Sequence, residues 1–339
     1  MNEVIISSDS HIHEPYDLWA KAVPWAIDQM PAFEPRRVGP GGAKPGGEDP
    51  LARVQEMAQD GVSAEVLYPT FGLKLFGMDD AKAQEAAFRV FNDWLMAYCK
   101  PNLDRLWGVA CISAYETGQA VKELERCANA GLKGAMIWQV PHPDLPFKSE
   151  HYDPIWDAAQ SLGLPLSLHI LTGHNYTKTP SATRGVEHYR ATSNIKILEA
   201  ANALFDFIWY GVLDRYPDLK VVTVENEIGW IPFYLQQWDY YHRKQRAAAP
   251  PISKLPSSYF NRQVYASFFN DSIGGHILSA WGQDNCMWSS DYPHSNSTWP
   301  HSREVIQRDL GHLAPEVREK LVRENVVGLY GMSVPEPAA

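Results

Sequence analysis

The chain has 339 residues, and its 30 Lys and Arg against 40 Asp and Glu give a formal net charge of −10 at pH 7. This balance disfavours nucleic-acid binding, because neutralising phosphates requires clustered basic residues in excess. At 45% hydrophobic and 21% charged residues, the composition excludes a disordered or fibrous protein. The length fits two average domains or one large α/β barrel with insertions.

The cysteines and the N-terminal sequence indicate a reducing compartment. Cys99, Cys111, Cys127 and Cys286 are too scattered for a disulfide scaffold or a metal finger. The first residues lack the basic region and apolar core of a signal peptide. The longest stretch without Asp, Glu, Lys or Arg, 158–177, contains two histidines, a proline and two glycines, so it is too polar to span a bilayer. We expect a soluble cytoplasmic protein that binds neither nucleic acid nor membrane.

Short apolar runs alternate with longer amphipathic ones along nearly the whole chain, which is typical of βα units in a parallel sheet. Eight strands are predicted, the number that closes a (β/α)8 TIM barrel, so we expect one α/β domain over residues 1–339. The predicted strands are Val4–Ser8, Ala64–Tyr68, Leu106–Ile112, Gly134–Trp138, Pro165–Ile170, Lys220–Val224, Val264–Phe268 and Cys286–Ser290.

Helices are predicted between the strands from their start and stop signals, such as Asp49-Pro50 before an apolar-periodic run that ends at Gly61. Residues 36–50 are rich in glycine and proline, which predicts a loop insertion after the first strand, on the C-terminal face where barrels keep their active sites. The other predicted helices are Ala81–Cys99, Glu116–Gly131, Tyr152–Leu162, Asn194–Tyr216, Trp230–Lys244 and Pro315–Leu329.

Three polar residues at a spacing of two, Asp9, His11 and His13, stand at the end of the first predicted strand. In an extended chain they project to the same side. If that side faces the barrel interior, two of the three can bind one divalent ion such as zinc. The motif alone is weak, because strand-end histidines are often only hydrogen-bonded.

Titratable residues also end three other predicted strands. His169 ends the fifth, Glu225 follows the sixth, and Asp291 follows the eighth, three residues before His294. Buried carboxylates are unfavourable unless they are paired or metal-bound. Because the C-terminal ends of barrel strands meet at one mouth, the sequence predicts that these groups and the first-strand motif form one site.

Several segments, taken together, match one family. They are SSDSHIHEPYDLW, PLSLHILTG, VVTVENEIGW, MWSSDYPHSNSTWP and ENVVGLYG. With them the chain resembles the amidohydrolase superfamily, in the branch of aminocarboxymuconate semialdehyde decarboxylase and γ-resorcylate decarboxylase. The resemblance implies a (β/α)8 barrel with one divalent ion held by a residue pair on the first strand, by His169 and by Asp291. Zinc is the expected ion and manganese the alternative, and the resemblance implies a homo-oligomer, a dimer or a tetramer.

Two ligand pairs on the first strand are consistent with this family. In one, His11 and His13 bind the ion, and Asp9 orients a ligand. In the other, Asp9 and His11 bind the ion, and His13 lines the pocket. The position of Pro15 favours the second pair slightly, and His11 is a ligand in both.

Catalytic and substrate-binding candidates follow from the same site. We expect Asp291 to carry a proton, with Glu225 or His294 assisting. Many relatives have histidine where this chain has Glu225. The carboxylate of Glu225 favours activation of a water molecule. The alternative is that Glu225 only pairs with an arginine or orients a histidine. The substrate-binding candidates are Arg184 and Arg190 for an anionic group and Trp138 and Tyr292 as aromatic walls.

The sequence therefore favours a metal-dependent, non-oxidative decarboxylase of a hydroxylated aromatic or unsaturated carboxylic acid. The alternative is a metal-dependent hydrolase of a C–C, ester or amide bond, with Asp291 or Glu225 as base for metal-bound water. A more remote alternative is a barrel that binds a small ligand without catalysis. The expected partner is a small carboxylate or carbonyl substrate.

Overall fold

A computed structural model describes residues 3–35, 44–174, 186–244 and 252–338. Its core is one eight-stranded sheet in which the strands follow in the order β1 to β8, all neighbours being parallel. This order confirms the predicted (β/α)8 barrel. The strands are β1 Ile6–Ile12, β2 Ala64–Pro69, β3 Leu106–Cys111, β4 Gly134–Ile137, β5 Leu166–His169, β6 Val221–Val224, β7 Val264–Phe268 and β8 Cys286–Trp288.

Hydrogen bonds between β1 and the residues after β8 close the barrel. The N–H of Asp291 donates to the carbonyl of Asp9 at 3.0 Å, and the N–H of His11 donates to the carbonyl of Tyr292 at 2.6 Å. The two chain segments that carry most of the predicted ligands are therefore direct neighbours across this seam.

Helices cover the outside of the sheet and pack their apolar faces on it. In α3, for example, Phe88, Phe91 and Leu95 are buried. The helices are α1 Leu18–Ala22, α2 Pro50–Asp60, α3 Ala81–Cys99, α4 Thr117–Asn129, α5 Asp153–Leu162, α6 Val186–Trp209, α7 Val212–Arg215, α8 Ile231–Lys244, α9 Pro256–Gln263, α10 Ser272–Ile277, α11 Ser302–Leu310, α12 Pro315–Glu319 and α13 Asn325–Tyr330. None that the described ranges contain is long and apolar enough to cross a membrane.

The predicted start and stop signals of α2 are present in the structure. The Asp49 side chain accepts a hydrogen bond from the N–H of Leu51 at 2.8 Å, which caps the helix start. Gly61, with φ 74°, ends the helix in the left-handed conformation that favours glycine.

The first strand differs from its prediction in a way that matters for the site. It runs to Ile12 rather than ending at Ser8, because its second half pairs with β2, with His11 beside Tyr68. The register between β1 and β2 shifts between Ser7 and Ser10, as a β-bulge does. Asp9 and His11 therefore lie within a fully buried strand, whereas His13 directly follows it.

Other boundaries also differ from prediction. The helix predicted over Asn194–Tyr216 is two helices, α6 and α7, separated by Gly211 with φ 72°. The predicted C-terminal helix is interrupted by a π-helical turn, Lys320–Glu324. Residues 36–43 of the predicted insertion lie outside the described residues, and the rest of it contains a 3₁₀ turn, Pro45–Gly47, followed by the start of α2.

Candidate active site

His11 and His169 direct their ring nitrogens to one point at the C-terminal mouth of the barrel. Nδ1 of His11 lies 2.7 Å from the carbonyl oxygen of Pro69, and Nδ1 of His169 lies 2.7 Å from that of Ile170. Because carbonyl oxygens only accept hydrogen bonds, each Nδ1 carries the hydrogen, and in a neutral ring each Nε2 offers a lone pair. The two Nε2 atoms are 3.2 Å apart, so a cation or an extra proton is needed between them.

The surroundings of these two rings move their pKa values in opposite directions. Burial, reinforced by the neighbouring His294 and His169 rings, lowers the pKa of His11 well below its ordinary value. Burial also acts to lower the pKa of His169, but the Asp9 and Glu225 carboxylates outweigh it and raise the pKa above its ordinary value. His11 is therefore neutral at pH 7, which is the form that binds metals.

Asp9 completes the first-strand part of the site. Its Oδ1 lies 3.5 Å from His11 Nε2 and 3.7 Å from His169 Nε2. The carboxylate is fully buried, and neither oxygen accepts a hydrogen bond from the residues that the structure describes. A buried carboxylate in this state is unfavourable unless a cation compensates it.

The turn after β8 brings Asp291 and His294 to the same point. Asp291 Oδ1 lies 3.5 Å from His11 Nε2 and 2.8 Å from His294 Nδ1. The His294 ring stacks on the His11 ring with centroids 4.1 Å apart, and its Nε2 lies 3.2 Å from the Thr70 hydroxyl. About a fifth of the His294 side chain, 22%, is exposed, so this ring links the buried Asp291 to solvent.

Glu225 reaches the site because the backbone leaves the regular strand geometry. The register pairs His169 with Val224, so an unbroken β6 would turn the next side chain away from His169. Glu225 instead has φ 59°, and its Oε2 lies 3.9 Å from His169 Nε2. Asp291 has a similar φ of 56°. Such conformations cost about 1–3 kcal/mol in non-glycine residues and cluster at functional sites.

These side chains fit a divalent metal ion. Two sets of four residues have ligand atoms within 4.8 Å of one another: Asp9, His11, His169 and Glu225, and His11, Glu225, Asp291 and His294. Two nitrogen ligands about 2.05 Å from a tetrahedral zinc ion would be about 3.3 Å apart, close to the 3.2 Å between the two Nε2 atoms. The backbone carbonyls on both Nδ1 atoms provide the orienting hydrogen bonds that metal-binding histidines usually have.

The structure brings His13 to a different place. It belongs to neither of these two sets of ligand atoms, and its ring packs directly on Gly47, where a side chain would clash with it. The backbone N–H of His13 donates to the Gly47 carbonyl at 2.7 Å.

The structure describes the side chains of two of the four predicted substrate-binding residues. Arg184 lies outside the described residues, and Arg190 lies in α6 but its side chain is outside the description. The Trp138 ring is buried, and its Nε1 donates to the Tyr152 hydroxyl at 3.0 Å. The Tyr292 hydroxyl donates to Glu56 on α2, and its ring lies 4.4 Å from the Arg53 guanidinium.

Comparison with known proteins agrees with this architecture. A family model described as amidohydrolase matches residues 8–332. The chain belongs to the amidohydrolase family. This confirms the resemblance stated from the sequence motifs, and it places the site of this amidohydrolase inside the matched region.

Three relatives illustrate the likeness. A γ-resorcylate decarboxylase from Polaromonas is 25% identical over 286 residues, covering 76% of this chain and 82% of that protein. The structure of a 5-carboxyvanillate decarboxylase from Sphingomonas paucimobilis matches with a TM-score of 0.74 at 21% identity, covering 97% of this chain and 99% of that one. A dihydroxybenzoic acid decarboxylase from Polaromonas, with bound manganese and the inhibitor 2-nitroresorcinol, matches with a TM-score of 0.70 at 18% identity, covering 97% of each chain.

Sequence reasoning missed residues that support the site from outside the barrel. Arg53 of α2 is fully buried. Its Nε lies 2.5 Å from Glu65 Oε2, and its Nη1 donates to the His11 carbonyl at 2.6 Å. The signal for Arg53 was a basic residue within an otherwise amphipathic helix, which is indistinguishable from a solvent-exposed arginine. Thr70, which directly follows β2, was also missed, because a single threonine after a strand carries no distinctive signal.

Proposed function

We propose that this amidohydrolase is a metal-dependent, non-oxidative decarboxylase that acts on hydroxylated aromatic carboxylic acids. The observation that carries the proposal is the pair of Nε2 atoms of His11 and His169, 3.2 Å apart in a buried site that also holds two carboxylates. The decarboxylase relatives support the reaction class.

We infer that Asp9, His11, His169 and Asp291 hold one divalent ion. Asp9 and His11 are favoured as the ligand pair on β1, because Asp9 lies close to both imidazoles while His13 packs on Gly47. Two imidazoles with two carboxylates suit either zinc or manganese. The manganese in the Polaromonas neighbour supports manganese as an equal candidate to zinc. When bound, the ion would act as a Lewis acid that orients the substrate carboxylate and a neighbouring hydroxyl.

Asp291 and His294 are suited to deliver the proton that decarboxylation requires. In this reaction the ring carbon that bears the carboxylate gains a proton, the bond to the carboxylate breaks, and its electron pair returns to the ring as carbon dioxide leaves. The 2.8 Å contact joins Asp291 Oδ1 to His294 Nδ1, and partial exposure lets His294 take up a proton from solvent. We propose this pair as the proton source.

The substrate is proposed to be a small hydroxylated benzoate. Its carboxylate would need a cationic partner beyond the ion, and Arg184 and Arg190 remain the candidates from the sequence. Trp138 and Tyr292 stay predictions as pocket walls. The homo-oligomer and the cytoplasmic location also stay predictions.

A hydrolase is the second candidate, and the placement of Glu225 favours it. Its carboxylate lies 3.9 Å from His169 Nε2, where it could accept a proton from a water molecule at the site. The decarboxylase is preferred because the named relatives carry out that reaction.

The test is elemental analysis of the purified, unsupplemented protein, together with an assay of carbon dioxide release from 2,6-dihydroxybenzoate and 5-carboxyvanillate. We expect about one zinc or manganese per chain and release from at least one acid. Asp291→Asn should lose both, whereas the exposed His301→Ala should keep both. No metal in the wild type, even after reconstitution, would overturn the proposal, while metal with hydrolysis of carbonyl compounds and no decarboxylation would establish the second candidate.

A further inference from the structure

Two cations from one short segment bind the backbone of the turn after β8. The carbonyls of three successive residues, Tyr292, Pro293 and His294, follow Asp291 directly. Arg53 donates to the first at 3.4 Å, and the ammonium of Lys44 donates to the second and third, at 3.0 Å each. Every carbonyl between Asp291 and the end of His294 is therefore held by a side chain from residues 44–53.

Lys44 is bound more completely than a surface lysine usually is. Its Nζ also donates to the Ser297 hydroxyl at 3.4 Å, so among the described residues it reaches three neutral oxygen acceptors. It lies 5.4 Å from the centre of the Tyr292 ring and 5.3 Å from that of Trp299, within the range of cation–π attraction. The residue itself is only partly buried, so replacing it does not require opening the core.

Arg53 connects the same turn to β1. Its guanidinium donates to the His11 carbonyl at 2.6 Å and to the Tyr292 carbonyl at 3.4 Å. The two segments that meet at the barrel seam are thus fixed to each other by one buried side chain. Because Arg53 also pairs with the buried Glu65, its removal would leave an uncompensated charge and disturb folding, which makes Lys44 the better residue to test.

We propose that Lys44 is a positioning residue: it fixes the turn from Asp291 to His294 and thereby sets where the Asp291 carboxylate and the His294 ring stand in the active site. This inference rests on the proposed function, and it assigns a residue of the Gly/Pro-rich insertion to the support of the active site. The reason is geometric. A carboxylate held within about 0.5 Å of its working position supports binding and proton transfer, and a looser one does not.

The test compares Lys44→Met with Lys44→Arg and with Lys82→Met, an exposed lysine on α3. Each protein is stripped of metal, titrated with Mn²⁺, and loaded with Co²⁺ to record its visible spectrum. Hydrogen exchange of the peptide that contains residues 291–297 is followed in the metal-free protein. Where decarboxylation of 2,6-dihydroxybenzoate is established, kcat and KM are measured separately.

We expect Lys44→Met to weaken Mn²⁺ binding and to lower kcat by about 10–100-fold, as for other residues that orient metal ligands. The Co²⁺ spectrum should change and exchange in 291–297 should quicken, while KM changes less than kcat. Lys44→Arg should recover most of each signal, because a guanidinium can donate to the same acceptors. Lys82→Met should match the wild type.

If Lys44→Met kept the metal affinity, the Co²⁺ spectrum and the exchange rates of the wild type, the inference about Lys44 would be overturned, and the proposed function would not be affected. The inference would also be overturned if Lys44→Arg and Lys44→Met lost metal affinity and kcat equally and became less stable to heat, with no change in exchange at 291–297. That pattern is expected of a residue that only stabilises the fold. A wild type that binds no divalent ion would refute the proposed function instead. The exchange measurement then still decides whether Lys44 fixes the turn.

Discussion

Replacing Asp9 with asparagine separates its proposed role at the metal from a role in the fold. The change keeps the shape of the side chain and removes its charge. In the metal-free protein the effect on stability should be small, because the gain from removing a fully buried carboxylate that accepts no hydrogen bond from the described residues is offset by the loss of its attraction to His169. In the metal-bound protein it should be unfavourable, because a charged ligand is lost.

The size of the effect can be worked out. Residues that only orient metal ligands change metal affinity about 10–100-fold, so a direct ligand should change it by about 100-fold or more. An ion at 1,000 times its Kd stabilises the folded protein by about 4 kcal/mol, and after a 100-fold loss of affinity by about 1.4 kcal/mol. With an unfolding entropy of about 2.1 cal/mol/K per residue over 339 residues, the metal-induced rise in Tm should fall from about 6 °C to about 2 °C.

The assay is thermal unfolding of the metal-free and Mn²⁺-loaded proteins, alongside direct titration. The exposed Asp28→Asn is the matched control and should behave as the wild type does. The reasoning would be refuted if Asp9→Asn kept wild-type metal affinity, or if its metal-free form were clearly less stable than the wild type.

Three further predictions concern single residues. His13→Ala should keep metal affinity within about threefold, since its ring packs on Gly47, and loss of metal would favour the His11/His13 pair. Glu225→Gln should only weaken decarboxylation but abolish a hydrolysis that uses it as base, so measuring both reactions decides its role. Burial raises the pKa of Glu199 in α6 to about 7 from 4.5, so the folded wild type loses stability as pH rises from about 4.5 towards 7 and above. The Tm advantage of Glu199→Gln should therefore be larger at pH 8 than at pH 5, and an equal advantage at both would contradict this assignment.

The barrel was predictable from the sequence because its signal is distributed over the whole chain. Eight apolar runs, each bounded by an amphipathic helix or a turn, must all bury their faces, and one closed parallel sheet satisfies them together. The strand that carried the weakest apolar signal, β1, was also the one whose end, at Ile12, lay furthest from its prediction at Ser8. Its sequence from Ser7 to His11 is polar, and only pairing with β2 and burial in the barrel make it a strand.

The convergence of His11, His169 and Asp291 was predictable for a topological reason, since each follows or ends a strand and all strand ends meet at one mouth. The choice between Asp9 and His13 was not, because both have the same spacing from His11. What separates them in the structure is the end of β1 at Ile12 and the packing of His13 on Gly47. Neither feature can be predicted from the two-residue spacing of Asp9, His11 and His13.

Backbone conformation and distant contacts explain the rest. The alternation of a regular strand would turn Glu225 away from His169, and only its φ of 59° allows the observed 3.9 Å approach. Similarly, Lys44 lies about 250 residues from the carbonyls it binds, and nothing in its local sequence points to them. The Gly/Pro-rich insertion is predicted from the sequence as a surface loop, yet its Lys44 binds the carbonyls of the turn that follows Asp291. The site therefore depends on one segment that composition alone would treat as dispensable, and shortening that insertion at Lys44 should impair the site while leaving the eight-stranded barrel intact.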